Sequence, residues 1–457
     1  MSEKKQTPVK ARYALPFFAA LAVLTVVAFI LPLRPTRSQT EKRSLTQFPT
    51  YSQDALLEGS WFDGITTWFS DTFPGREQWL LLSSRVDELH GYSAVAIEGE
   101  LGGEGQSETV PTAPTTPVTL PTYVPDPTEE SREQVIIETV PPPSEDEESW
   151  GGIDAGEDQN IIYGNSMIQI GDSTFGFCAF SQQGCDRHIN VLNTAAALLA
   201  DKDVRVISLP IPTSVGIMVE KQYQQKLHCA PQDEIIDYLF AGMHSSVVKV
   251  DLYDTLVAHN DEYIYFRTDH HWTARGAYYA YEALCKELGF TATPLESFRE
   301  WDMGVFEGSG YSSAPYPRKL TKDNLYAYVP TGEVSMLICP DGRSGYAWDL
   351  IKDKSHRAAN TKYMAFLSGD HALCIVTNDS IPDGPSCVIF KDSFGNPFVP
   401  FLTENYHKVY VIDYRKYKTM GLRNFVTQYD IDDVIVAHNL HGAQAIGTSN
   451  LLDALVR

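Results

Sequence analysis

The segment from Tyr265 to Gly276, YFRTDHHWTARG, is the densest cluster of polar side chains in the sequence. Asp269 and His271 are two residues apart within it, so in an extended turn their side chains point to the same side. A carboxylate in that position can orient the imidazole and stabilise its cation, as the acid and base of a Ser-His-Asp triad require. His270 is then expected to point the other way.

Two other interpretations of this segment stay open. The aspartate and the histidines can simply satisfy a turn and the start of the helix that follows, for which Thr273 is a suitable N-cap. A metal site made of Asp269, His270 and His271 is a weaker alternative, because adjacent side chains diverge and the chain has no HExxH pair. Triad chemistry needs neither a metal nor an organic cofactor, and none is expected.

A nucleophile for such a triad is offered by CVIFKDSFGNP, residues 387–397, which predicts a buried strand and then a tight turn. Ser393 lies at that turn, where the backbone N–H of Phe394 can stabilise an oxyanion and Gly395 permits the close geometry. Ser173 competes, because QIGDS also follows a strand-like run. We prefer Ser393 as the nucleophile, and the expected supporting residues around it are Asp392, Phe394, His270 and Trp272.

The elements that must position these residues follow Gln159, where short β-rich runs begin to alternate with helical patterns. This alternation predicts an α/β domain over residues 161–457, with a mostly parallel sheet covered by helices. Open parallel sheets carry their sites in loops at the carboxyl ends of the strands. The strand-like runs are IIYG, SMIQIG, VRVISLP, SSVVKVDL, SCVIF, KVYVID and DDVIVAH, and helices are predicted near 188–201 and over 273–288.

Residues 14–33, ALPFFAALAVLTVVAFILPL, carry no charge and are long enough as a helix to cross the roughly 30 Å hydrocarbon layer. A signal peptide is the alternative, but the run is longer than a usual h-region and no clean small-x-small cleavage site follows. We therefore predict a cytoplasmic tail over 1–13, a single transmembrane signal anchor over 14–33, and an extracytoplasmic C-terminal domain.

The net charge of -23 is concentrated in one segment. Residues 101–160 hold fourteen Asp and Glu against one basic residue and are rich in Pro and Thr, which predicts a disordered linker. Before it, residues 40–95 show helical spacing of aromatics on either side of Pro74-Gly75, which predicts two amphipathic helices that pack on the main domain. No Lys/Arg-rich stripe is present, so the composition argues against nucleic-acid binding.

The seven cysteines are scattered without CxxC spacing, which argues against a zinc ribbon or a thioredoxin-like redox site. Cys178 and Cys185 are close enough in sequence to form a local disulfide in an extracytoplasmic domain.

Together these motifs resemble the DHHW family of bacterial surface proteins and, beyond it, the SGNH-hydrolase-like proteins of alginate O-acetylation. The resemblance rests on the anchor, DTFPGR at 71–76, LPIPTS at 209–214, DHHW at 269–272, FEGSGYSS near 306, KDSFGN at 391–396 and KVYVIDYR at 408–415, and it does not include the acidic segment 101–160. It implies a flavodoxin-like sheet, Asp269 and His271 as acid and base, and Ser393 as nucleophile. Those relatives commonly show GDS or GTS where this chain has Lys391-Asp392-Ser393.

The function implied by the resemblance is that of an extracytoplasmic O-acyltransferase or acylesterase. Its acceptor would be a cell-surface polysaccharide, and a membrane-bound acyltransferase would supply the acyl donor. A different class of function stays open: a non-catalytic binding protein of cell-envelope or spore assembly that retains the fold and uses the acidic segment as a spacer.

Overall fold

A computed structural model describes residues 167–456 of the protein, except 222, 223, 225, 226, 228, 315 and 316. Before residue 167 it describes only 47, 48, 50, 51, 61, 65, 68, 69, 72, 110, 111, 118–121 and 137–139. The chain divides into two units, 1–93 with 154–156, and 94–153 with 157–457. The predicted tail and anchor lie outside the described residues, as do most of 40–95 and of the linker, so these assignments stay predictions.

The strands that the structure describes in the second unit are β1 (Glu138–Thr139), β2 (Met167–Ile170), β3 (Ser173–Gly176), β4 (Arg205–Ile211), β5 (Val247–Lys249), β6 (Arg299–Phe306), β7 (Asp323–Val329), β8 (Val334–Cys339), β9 (Ser344–Trp348), β10 (Leu373–Asn378), β11 (Ser386–Lys391), β12 (Lys408–Asp413) and β13 (Asp433–Asn439). Nine of them form one sheet, in the order β1-β9-β8-β10-β12-β11-β13-β4-β5, with the two-stranded sheets β2-β3 and β6-β7 beside it.

Five neighbouring strands, β12, β11, β13, β4 and β5, are mutually parallel, and β10 and β8 extend the sheet in antiparallel fashion. If these strands are numbered 1 to 5 as β11, β12, β13, β4 and β5, their order across the sheet is 2-1-3-4-5, which is that of a flavodoxin-like sheet. Along the chain, however, β4 comes first, and it is the fourth strand in that numbering. The predicted α/β class is confirmed, while the strand order is a circular permutation of the expected one.

The helices are α1 (Gln182–Leu198), α2 (Ser214–Met218), α3 (Gln232–Gly242), α4 (Tyr253–Val257), α5 (Ala274–Leu288), α6 (Ser309–Ser313), α7 (Val399–Leu402), α8 (Leu422–Tyr429), α9 (Leu440–Gln444) and α10 (Ile446–Val456). Two groups of helices pack together. In one group α1 packs against α3, α9 and α10, and in the other α5 packs against α4 and α7.

Local chemistry sets the helix that follows the DHHW segment. The Thr273 hydroxyl accepts a hydrogen bond from the Gly276 N–H at 3.3 Å, which confirms this residue as the N-cap of α5. The helix ends at Gly289, whose φ of 74° is the left-handed conformation that glycine adopts without steric cost. The start of α5, and with it the preceding loop, is thereby fixed.

Among the residues that the structure describes, no helix is both long and apolar enough to span a membrane. All seven cysteines are buried free thiols, so the local disulfide considered for Cys178 and Cys185 is not formed.

Candidate active site

Asp269, His271 and Ser393 lie in one hydrogen-bonded row. The Nδ1 of His271 is 2.5 Å from Oδ1 of Asp269, and its Nε2 is 2.7 Å from Oγ of Ser393. All three residues are at most 5% exposed. The structure therefore brings together the residues that the sequence analysis paired, across a separation of 122 residues. The arrangement has the connectivity of a Ser-His-Asp triad.

The row lies at the carboxyl ends of the parallel strands. The indole N–H of Trp272 donates to the carbonyl of Phe394 just after β11, at 2.8 Å, and the hydroxyl of Tyr265 donates to the carbonyl of Pro212 just after β4, at 2.6 Å. Between these strands, β13 ends at Asn439, next to the serine turn. This edge is where sheets of this kind bind ligands.

The backbone that carries the motif is a closed loop rather than the extended turn that we expected. An antiparallel bridge between Tyr265 and Trp272 closes it, and the Phe266 N–H donates to the His271 carbonyl at 3.3 Å. The His271 N–H turns back onto Oδ1 of Asp269 at 3.0 Å. The two side chains therefore meet because the chain folds back, not because alternate residues of an extended segment share a side.

The carboxylate of Asp269 is surrounded by donors. Its Oδ2 accepts from the N–H of Ser309 at 2.8 Å and from the hydroxyl of that residue at 3.2 Å. Burial would raise the pKa of Asp269, but the neighbouring imidazoles and the hydrogen bonds from His271 and Ser309 hold it well below its usual range. An ionised carboxylate can only accept hydrogen bonds, so with Asp269 in this form Nδ1 of His271 would be the donor of their short hydrogen bond.

The loop that supplies Ser309 approaches so closely that it requires a glycine. A Cβ at Gly308 would lie 2.2 Å from the Cβ of Asp269. The glycine N–H also donates to the hydroxyl of Thr268 at 3.2 Å, which ties the two loops together.

His270 does not point away from its neighbour, contrary to our expectation. Its ring centroid lies 3.8 Å from that of His271, and its Nδ1 is 2.9 Å from the hydroxyl of Ser309. Burial, together with repulsion from His271, lowers the pKa of His270 to about 3, so it is neutral at physiological pH. The closed loop explains the difference, because adjacent side chains diverge only on an extended backbone.

The serine turn is a single 3-10 turn, Ser393–Gly395, and Asp392 caps it. Oδ1 of Asp392 accepts from the Phe394 N–H at 2.9 Å, and Oδ2 accepts from the backbone and side-chain N–H groups of Asn439 at 2.9 and 2.8 Å. Burial raises the pKa of Asp392 despite these bonds. The Phe394 N–H is thus engaged by the capping carboxylate, which argues against our expectation that it faces an oxyanion.

Beneath the turn lies a buried ionic cluster that the sequence analysis missed. The ammonium of Lys391, 1% exposed, is 2.6 Å from Oδ1 of Asp370 and 2.5 Å from Oδ1 of Asn396. Arg415 binds the other oxygen of Asp370 at 2.9 Å. A Cβ at Gly395 would lie 2.6 Å from that of Lys391, so the glycine is needed where the turn crosses the lysine stem. A lysine in an apolar strand was the available signal, but its partners are distant in sequence.

A second residue that sequence reasoning missed is Tyr363. Its ring lies face to face with that of His271, at a centroid distance of 4.2 Å and an angle of 17°, and its hydroxyl donates to the carbonyl of Ser393 at 2.9 Å. It belongs to a 3-10 segment, Ala359–Ala365, whose sequence carries no motif that points to a site.

The competing serine, Ser173, begins β3 in the small β2-β3 hairpin, and its hydroxyl donates to Asp172 at 3.0 Å. It therefore lies at a hairpin turn rather than at a strand-to-helix turn.

The geometry also bears on the alternative of a metal site at Asp269, His270 and His271. Donor atoms of Asp269, His270 and His271 lie within 4.8 Å of one another. Both ring nitrogens of His271 are, however, directed at Asp269 and Ser393, so a cation bound to this ring would have to displace one of them. The contacts fit a triad better than a metal centre.

The fold and the site together define a mixed α/β protein with a large central sheet that holds a serine, a histidine and an aspartate in one row. The sequence model described as DHHW protein matches residues 41–113 and 148–412, and the chain belongs to this family. The predicted resemblance is thereby confirmed. No curated protein matches the chain.

The chain is similar to solved structures, and the two with the higher TM-scores share its fold. A DHHW family protein from Eubacterium siraeum is 24% identical with a TM-score of 0.57, over 64% of this chain and 95% of that one. Bacillus cereus PatB1, whose structure is also known with a sulfonyl adduct, is 16% identical with a TM-score of 0.52, over 64% of this chain and 98% of that one. The O-acetyltransferase domain of Pseudomonas putida AlgJ is 11% identical with a TM-score of 0.34, over 62% and 96%.

Proposed function

We propose that the protein is a membrane-anchored, extracytoplasmic serine acyltransferase or acylesterase that acts on a cell-surface glycan. The observation that carries the proposal is the row Asp269–His271–Ser393, closed by hydrogen bonds of 2.5 and 2.7 Å at the carboxyl edge of the sheet. The membrane anchor at 14–33, the glycan acceptor and a membrane-bound partner that supplies the acyl group rest on the sequence and on the family resemblance.

The hydrogen bonds assign the roles. Because Asp269 is ionised and accepts from Nδ1 of His271, Nε2 carries a lone pair that can accept the hydroxyl proton of Ser393. The carboxylate then faces the imidazolium that forms. Two bonds from Ser309 hold it in place, so the charge is already oriented before reaction.

In the first half-reaction, Oγ of Ser393 forms a bond to the acyl carbon of the donor while its proton moves to Nε2 of His271. The bond from the acyl carbon to the leaving group then breaks, and His271 returns the proton to that group. In the second half, an acceptor hydroxyl or water loses its proton to Nε2 and forms the new bond to the acyl carbon. The Ser393 ester bond breaks and the proton returns to Oγ.

The completeness of the site supports catalysis over the non-catalytic alternative. A buried carboxylate without its partners costs several kcal/mol, and nothing in a purely binding role requires Asp269 to be ionised and aimed at an imidazole. PatB1 is known with a sulfonyl adduct, and that class of reagent is a suitable probe for this serine.

The test uses the full-length protein in detergent. We expect a sulfonyl fluoride to add one adduct by intact mass, and p-nitrophenyl acetate to be hydrolysed. Both signals should disappear in Ser393→Ala and persist in Ser173→Ala, the matched serine control. A folded wild type without adduct or turnover would favour the binding role, and loss confined to Ser173→Ala would show that the nucleophile is misassigned.

A further inference from the structure

Tyr363 is held rigidly by aromatic neighbours that belong to other parts of the chain. Its ring meets Phe266 at 6.4 Å and 77°, Phe306 at 6.4 Å and 28°, and Phe366 at 5.7 Å and 69°. These contacts restrain both side-chain torsions, and aromatic pairs at such distances and angles are mutually attractive. The Tyr363 ring is therefore held in one orientation.

Tyr363 contacts both His271, the proposed base, and Ser393, the proposed nucleophile. The ring covers one face of His271 at 4.2 Å, and the hydroxyl donates to the carbonyl of Ser393 at 2.9 Å. The ring centroid of His270 also lies 3.8 Å from that of His271, at an angle of 37°. The imidazole is thus packed against two rings, and these contacts oppose the rotation that would carry Nε2 away from Ser393.

The contact with Tyr363 also affects charge. The imidazolium that forms during acyl transfer would lie against the π face of Tyr363, well inside the roughly 6 Å range of cation–π attraction. Among the described residues, His271 interacts electrostatically with Asp269 and His270 on its own loop and with Asp392 on the serine turn. Tyr363 contributes the face of its ring to this environment.

We propose that Tyr363 is a positioning residue for acyl transfer, which clamps His271 in register with Ser393 and stabilises the imidazolium through its ring. This inference rests on the proposed function. The hydroxyl and the ring have separable roles, because the hydroxyl fixes the serine backbone and the ring fixes the imidazole.

Two variants of the full-length protein separate these roles. Tyr363→Phe keeps the ring and loses the hydroxyl, so we expect kcat to fall several-fold with the acidic midpoint of the pH–rate profile unchanged. Tyr363→Leu loses the ring, so we expect kcat to fall about a hundredfold from misplacement of the base. Its acidic midpoint should move to lower pH by up to about one unit, because the cation is no longer stabilised. KM should change little in either.

A matched control and a readout without turnover complete the experiment. Tyr410→Leu removes another buried tyrosine, which packs on Phe425 and Tyr429, and should leave the midpoint unchanged. The far-downfield NMR proton of the Asp269–His271 hydrogen bond should persist in Tyr363→Phe. In Tyr363→Leu it should weaken, and its pH midpoint should shift as in the rate profile.

The outcomes are distinct. An unchanged NMR proton and midpoint in Tyr363→Leu would overturn the clamp, as would an equal shift in Tyr410→Leu. If wild type hydrolyses no ester but the NMR proton still weakens in Tyr363→Leu, the proposed function is overturned and the clamp on His271 is retained.

Discussion

Replacement of Asp269 by asparagine tests the assignment of roles most directly. The carboxylate accepts from N–H donors on both oxygens, with the Nδ1 and backbone N–H of His271 on Oδ1 and the Ser309 N–H on Oδ2. An asparagine offers one carbonyl, which accepts, and one NH2 group, which donates. The NH2 group must therefore face either the His271 donors or the Ser309 N–H, and neither can accept from it. If the carbonyl accepts from Ser309, the NH2 group faces Nδ1 of His271.

That orientation forces the His271 proton onto Nε2. The ring then donates to Ser393 instead of accepting its proton, and the general base is lost. The wrong tautomer costs on the order of 10⁴ in kcat where it has been measured in a serine enzyme, or about 5.5 kcal/mol of barrier. The mismatched donor costs only about 1–3 kcal/mol of folding stability, which a domain with about 5–15 kcal/mol tolerates.

The assay compares kcat for p-nitrophenyl acetate with the free energy of unfolding in urea. Ser309→Ala is the matched control, since it removes the 3.2 Å hydroxyl bond to the same carboxylate and keeps the 2.8 Å N–H bond. We expect at most a tenfold loss there. A folded Asp269→Asn protein that retains a tenth of wild-type kcat would refute the requirement for a carboxylate beside His271.

Three further results are expected. Lys391→Met leaves Asp370 without its closest cation, so the free energy of unfolding, measured by urea titration, should drop by about 3 kcal/mol. The drop should be smaller in a Lys391→Met/Asp370→Leu double variant, which leaves no buried carboxylate unpaired. Gly308→Ala places a Cβ 2.2 Å from that of Asp269, so kcat should fall at least about a hundredfold while circular dichroism stays native. Burial lowers the pKa of His188 from 6.5 to about 4, so protons bind the unfolded chain first. Stability is therefore lost as pH falls from about 6.5 to 4, by about 3 kcal/mol more in wild type than in His188→Leu, measured by urea unfolding at each pH.

The parallel strands β4, β11, β12 and β13 could be predicted because burial on both faces makes each one a continuous apolar run, whereas the short edge strand β5 is only partly buried. VRVISLP became β4, SSVVKVDL contains β5, and SCVIF, KVYVID and DDVIVAH became β11, β12 and β13. Strands β8, β9 and β10 were not predicted, and the first two are buried on alternate or irregular positions that give a weaker signal. Of these strands only β10 pairs with β12, while β8 pairs with β10 and β9 with β8, and the β10–β12 pairing depends on contacts between distant segments.

The predicted helix near 188–201 begins earlier in the structure, because Ser181 caps it through the Gly184 N–H at 3.3 Å while its first turn, QQG, is polar. Apolar periodicity alone placed the start too late.

The site was predictable where chemistry is local and not where it is tertiary. Asp269 and His271 share a loop, and Ser393 occupies a recognisable turn, so residue type and spacing were sufficient. Tyr363 and the partner of Lys391 were not visible. Asp370 reaches the lysine only because Leu367, Ser368 and Gly369 all take positive φ, a rare backbone that no sequence pattern announces.

The circular order of the sheet explains why chain order misleads about this site. Neighbours at the carboxyl edge are set by strand pairing, so the segment after β5 and the turn after β11 meet whether the chain runs from β4 or from β11. In this chain the Asp-x-His pair therefore precedes its serine by 122 residues, and in an unpermuted sheet it would follow. The GDS sequence at Ser173 resembles the first block of an esterase, yet it forms a hairpin turn outside the parallel strands. The position of a motif relative to the sheet edge, rather than its order along the chain, identifies the residues that can act together.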